Sequence, residues 1–121
     1  MNTTEKGREG EKYALRFYKE SGFRIIATNY RALNAEIDII AEKGSTLVFC
    51  EVKLRADAHY GGAESAVPYA KQRKVSRAAA AFLTRFGGFD REIRFDVIAI
   101  ESNNDKTVIK HIPGAFDYIG D

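Results

Sequence analysis

The chain has little of what would mark it as anything but an ordinary globular protein. Cys50 is its one cysteine, so it has neither an internal disulfide nor a cysteine-built metal site. Its 121 residues include two prolines and no tryptophan. No apolar run approaches the roughly 20 residues of a membrane span, and no basic-then-apolar leader opens the sequence. These absences argue against a disulfide scaffold and against a membrane partner, and the expectation is a soluble, cytoplasmic protein. The net charge of +2 is too small to point to nucleic acid unaided.

What is present fits one domain spanning residues 1–121, with disorder expected only in the polar stretch 1–4. Thr3 and Thr4 suit the cap of a helix running to about Ser21, with Gly22 as its left-handed stop. Its inward stripe would be Gly7, Gly10, Ala14, Phe17 and Tyr18, the glycines implying a close approach to the layer beneath. Strands are expected at 23–29, 36–41 and 46–53. The last is apolar on both faces, as a central strand covered by helices would be. Residues 54–67 read as a loop. Pro68 opens a second helix ending near Phe86, with Val75, Ala78, Ala79, Phe82, Leu83 and Phe86 facing inward. Strands at 93–100 and 107–112 complete the order α-β-β-β-α-β-β. That order predicts an α/β fold: a mixed five-stranded sheet with a helix on each face.

Ionisable residues interrupt the apolar strands at Glu36, Asp38, Glu51 and Lys53. Strand alternation puts Glu51 and Lys53 on one face, and Glu36 and Asp38 likewise. An even hairpin loop, Lys43-Gly44 or 42–45, would make the two faces the same and set Asp38 diagonal to Glu51. An odd loop would separate them. With the even loop, the first helix is expected to cover part of the shared face and bring Glu11 towards it. Two carboxylates about 5 Å apart repel by about 3 kcal/mol at an effective dielectric of about 20. Lys53 offsets only part of this, so the acids are either protonated or share a cation. Oxygen ligands favour Mg²⁺ or Mn²⁺, which bind phosphate oxygens and acidify water.

Asp38 followed by Glu51-Val52-Lys53 resembles the PD-(D/E)xK nuclease signature, with Ile37 in place of its proline. Four ordered blocks sharpen this: residues 7–11 (GREGE), 36–40 (EIDII), 48–53 (VFCEVK) and 94–97 (RFDV). Together they are similar to the YraN-type, UPF0102-like family of small bacterial proteins, over residues 7–116. Ala35 departs from the glycine expected before the second block. The resemblance implies a restriction-endonuclease-like α/β/α fold related to Holliday-junction resolvases. It also implies metal-assisted hydrolysis of DNA phosphodiesters, on branched or structured DNA. Asp38 and Glu51 would be metal ligands, Lys53 would serve the water or transition state, and Glu11 would be an accessory acid, with Glu36 as an alternative. A resolvase-like action would call for a homodimer.

Lys71, Arg73, Lys74 and Arg77 form a cluster without an acid, continued by Arg55, and make a candidate nucleic-acid surface. Cations in the first turns of a helix oppose its dipole by about 0.3–1 kcal/mol each, which a docked phosphate chain would relieve. The alternative is a plain solvated helix face. His59 and His111 do not pair by spacing, Arg94 and Asp96 suggest a structural ion pair, and Cys50 reads as core. Two other classes stay open beside the enzyme: a nucleic-acid-binding module that keeps the fold without turnover, and a protein-protein adaptor.

Overall fold

The structure, a computed structural model, describes residues 3–55, 67–103 and 106–120, with side chains for 9–54, 67–101 and 106–120. Helix α1 (Thr3–Glu20) leads into β1 (Arg24–Ala32), β2 (Ala35–Lys43) and β3 (Thr46–Arg55). Helix α2 (Tyr69–Phe86) then carries the chain to β4 (Glu92–Asn103), and β5 (Lys106–Phe116) returns beside it. The sheet order is β1-β2-β3-β4-β5, with β3 and β4 parallel and every other pair antiparallel. Element order and mixed sheet match the sequence reading. Helix α1 begins at Thr3, inside the stretch expected to be disordered. His59 and most of the 54–67 loop lie outside the described residues.

The two-sided apolar pattern of β3 finds a helix on each face. Ala14 and Tyr18 of α1 pack on Ile39, Ala41, Val48, Cys50, Ile98 and Ile100. On the other side Val75, Ala78, Ala79, Phe82 and Leu83 of α2 cover Ile37, Ile40, Leu47, Phe49 and Phe95. Each fully buried side chain of this kind contributes about 1.5–3 kcal/mol. Gly10 allows the expected close approach, since a methyl there would collide with Leu54 Cδ2. Phe86 departs from the predicted stripe and is 58% exposed, lying under the Arg85 guanidinium.

Strands β1 and β2 extend beyond their expected limits because Leu33 and Asn34 close them in a two-residue turn. Strand β5 continues past Pro113, as an edge strand can where no ladder N–H is required. The β4–β5 pairing is irregular there: Phe95 faces Phe116, but Val97 faces Ile112. The extra β5 residues bend over Asp96, and Gly114, at φ 61, turns its N–H onto Oδ1 at 3.0 Å.

Asp96 is fully buried and its carboxylate is saturated with donors. Arg94 donates from Nε to Oδ1 at 2.8 Å and from Nη2 to Oδ2 at 2.9 Å. Tyr18 donates its hydroxyl to Oδ2 at 2.8 Å, and His111 Nε2 lies 2.7 Å from the same oxygen. A carboxylate only accepts, so Nε2 carries the proton. Burial works to raise the Asp96 pKa, but donation from His111, Arg94, Gly114 and Tyr18 outweighs it and holds the carboxyl at about 2. Its stabilisation is therefore complete above the unfolded value of about 3.9 and fades as pH falls through about 2. Asp96→Asn should cost about 3–5 kcal/mol in urea unfolding at neutral pH, by leaving the Arg94 guanidinium without its carboxylate and breaking up the donor set around it. A loss below about 1 kcal/mol would contradict this role.

Candidate active site

The β2–β3 hairpin closes at Gly44-Ser45, with Lys43 opposite Thr46 and the ladder running to Ile39 opposite Cys50. The turn is one residue later than expected because the left-handed position, φ 59, falls on Gly44. The loop is still even, so the faces agree. The register moves by two, and its next step sets Asp38 directly across from Glu51 rather than diagonal to it. There the ladder stops. Asp38 Oδ2 accepts the Val52 N–H at 2.8 Å in place of a strand carbonyl.

The irregularity extends across the sheet at this level. Ile37 and Ile40 pack on the α2 side while Ile39 packs on the α1 side, so the alternation of β2 slips across Asp38. On β1, Asn29 lies between the pairs Thr28–Ile39 and Tyr30–Ile37 and takes a left-handed φ of 52. A strand kinked at an acid next to a second buried acid is costly for a sheet that has only structural work.

Glu51 is 7% exposed, with the Lys71 ammonium 2.7 Å from Oε1. Burial is the largest influence on Asp38, and the negative charges of Glu51 and Glu36 add to it. Together they outweigh the Val52 N–H and Lys71 and raise the carboxyl to about 7. At Lys71 burial acts to lower the pKa, but contact with Glu51 holds it above the ordinary lysine value. Lys53 follows on Glu51's side of β3 and is half-buried. Glu36 stands at the rim, paired with Arg31 at 3.1 Å. Among the described residues no three His, Cys, Asp or Glu side chains converge as a closed metal cage. The oxygens of Asp38 and Glu51 would nevertheless suit Mg²⁺ or Mn²⁺, which need few protein ligands, keep waters and take phosphate oxygens.

Two expectations about the surroundings are corrected. Helix α1 was to cover the face carrying Glu51, but it packs on Val48 and Cys50. Glu51 alternates with Phe49 towards α2, so α2 is the helix that covers it. Glu11, on α1, accepts from Asn29 Nδ2 at 2.9 Å, on the strand beside β2. Lys71, expected as one of several surface cations, reaches into the site. Its sequence signal was a helix start rich in cations and empty of acids. Arg73, Lys74 and Arg77 are exposed along α2, and Arg73 and Arg77 are engaged by other groups. The Arg55 side chain lies outside the described residues.

The folded state favours neutral Asp38, so ionising it lowers stability as pH rises from about 3.9 through about 7. Without divalent metal, Asp38→Asn should raise Tm by several degrees at about pH 8 and far less at about pH 4. Equal gains at both pH values, measured by scanning calorimetry, would remove the charge penalty from the account.

Residues 10–100, which hold both carboxylates and both lysines of this site, match the model of the Uncharacterised protein family UPF0102. A UPF0102 protein of Geobacter metallireducens is 40% identical over 117 residues, covering 97% of this chain and 96% of that relative. One of Geobacter sulfurreducens is 46% identical over 112 residues, covering 92% and 88%. Another, of Chlorobium chlorochromatii, is 43% identical over 121 aligned positions, covering 95% and 93%. Similarity at this level along nearly the whole length of each partner makes the chain a member of the UPF0102, or YraN-type, family.

Proposed function

We propose that the chain is a Mg²⁺- or Mn²⁺-dependent endonuclease of the PD-(D/E)xK kind that hydrolyses DNA phosphodiesters. The carrying observation is the meeting of Asp38 and Glu51 where the β2–β3 ladder breaks, with the Asp38 carboxyl raised to about 7. Asp38 and Glu51 would hold the ion. When bound, such an ion withdraws electrons from a phosphoryl oxygen and makes a nearby water more acidic.

The chain's own groups supply the rest. Lys53, on Glu51's side of β3, would orient the attacking water or meet charge developing on the phosphate. Lys71 fixes the Glu51 carboxylate and brings its own ammonium to it. The start of α2 presents backbone N–H groups and cations without an acid, the arrangement that accepts a phosphate chain. Glu36 at the rim, and Glu11 from α1 beside Asn29, would be accessory acids, and symmetric cutting of two strands would use a homodimer.

One observation favours a second reading. Lys71 already neutralises Glu51, as it would in a nucleic-acid-binding module that never takes up an ion. Calorimetric Mn²⁺ titration separates the two. The nuclease reading expects binding by the native protein, its loss in both Asp38→Asn and Glu51→Gln, and metal-dependent cutting of a labelled DNA panel that Asp38→Asn does not perform. Native-level Mn²⁺ binding by Glu51→Gln would sink the site.

Helix α2 should supply affinity without sequence preference. Replacing Lys74 and Arg77 with alanine should lower the slope of log K against log salt by up to about 0.9 per lost phosphate contact on duplex DNA. An unchanged slope would return these cations to a solvated surface.

A further inference from the structure

The β1–β2 hairpin ends in Leu33-Asn34, at φ 53 and 62, between the paired residues Ala32 and Ala35. A turn with both central residues left-handed suits asparagine, aspartate or glycine. Leucine avoids that region, because its Cβ crowds the backbone. Leu33 is also 68% exposed and belongs to neither core cluster. The residue is thus unfavourable for the turn and contributes nothing to packing. Its neighbours behave otherwise, since Ala32 and Ala35 pack against the α2-side core. The tip is held firmly and its one large apolar side chain is presented to solvent.

The location of the tip gives this presentation a use. Glu36 follows Ala35, and Asp38 lies two residues further along the same strand. At about 3.4 Å per strand residue the tip stands about 10–14 Å from the Asp38 carboxylate. Arg31 is at the base of the turn, its side chain 81% exposed, with Arg31 and Glu36 on the wall of an open groove. A rigid apolar point beside a cation and an acidic, lysine-flanked centre matches how proteins enter a DNA stack. An apolar side chain inserts at a base step while cations hold the phosphates. Continuous duplex resists such entry through its stacking. A branch point already has an unstacked step.

We propose that Leu33 is a wedge that occupies the unstacked base step at a DNA branch and so sets that branch beside Asp38 and Glu51. This rests on reading the site as one that acts on DNA, and it narrows the substrate to duplex with a discontinuity. The spacing puts the reacting phosphodiester about three or four base-pair steps from the branch, at about 3.4 Å per step.

The test compares a four-way DNA junction with linear duplex of equal length, in an Asp38→Asn background, with 2-aminopurine at the branch step. The added substitutions are Leu33→Asn, which suits the left-handed turn better than leucine, and Leu33→Met, which keeps an apolar point. Leu33→Asn should keep or raise Tm. It should bind the junction roughly tenfold or more weakly, the scale of one buried leucine side chain, while binding duplex unchanged. Fluorescence at the branch step should change from the free-junction level on binding when Leu33 is retained or replaced by Leu33→Met, and stay at that level with Leu33→Asn. Equal junction affinity with Leu33 retained and with Leu33→Asn would overturn the wedge, as would an equal loss on junction and duplex. Mn²⁺ binding, measured on the protein with Asp38 intact, reads the carboxylate site separately. Junction preference lost with Leu33→Asn while Mn²⁺ fails to bind would keep the wedge and reject the nuclease.

Discussion

The buried carboxylate of Asp96 is where the layers of this protein are joined. It sits on a central strand, yet three of its partners come from elsewhere: Tyr18 from α1, and His111 and Gly114 from β5. Arg94 closes the ring from β4 itself. A charge in this position is tolerable only while every donor is in place, because an ionised group without partners is among the costliest things to bury. The bulge in β5, the left-handed Gly114 and the polar tip of an otherwise apolar Tyr18 all follow from serving it. The sheet's far edge is shaped by one acid.

On the opposite face of the same sheet, at nearly the same level, the logic reverses. Asp38 and Glu51 are also taken from water, but with too few donors, and Asp38 answers by holding on to its proton near neutrality. Two acids in one fold thus have pKa values pushed in opposite directions. Saturation by donors makes Asp96 a fixed anion. Burial next to other acids makes Asp38 a group that responds to any positive charge brought near it. The first arrangement fits holding a fold, and the second fits a site that meets a ligand.

Much of this was legible in the letters, and the failures have specific causes. Apolar positions on both faces of residues 47–52 revealed a central strand, and the cap, glycine and proline signals marked both helices. The shared face of Asp38 and Glu51 followed from an even loop. The placement of that loop did not, because one glycine and its left-handed φ set it, and neighbouring residues compete for that role. The covering helix was misassigned since alternation says which residues share a face, not which helix lies over it. Lys71 showed its sign and its helix but not its partner, which depends on where α2 crosses the sheet. The turn at Leu33 was missed for the opposite reason: leucine is among the last residues that turn chemistry would nominate.

The donors gathered on Asp96 also bear on how the chain is made. Tyr18 lies 78 positions before Asp96 in sequence, and Gly114 lies 18 positions after it. During synthesis the amino-terminal helix and first three strands leave the ribosome long before β5 exists. In that interval the carboxylate has no complete set of partners and stays in water, and β4 has an open edge. The two halves of the sheet are thereby coupled in time, so that a nascent chain settles into its native layers only once the last strand has emerged.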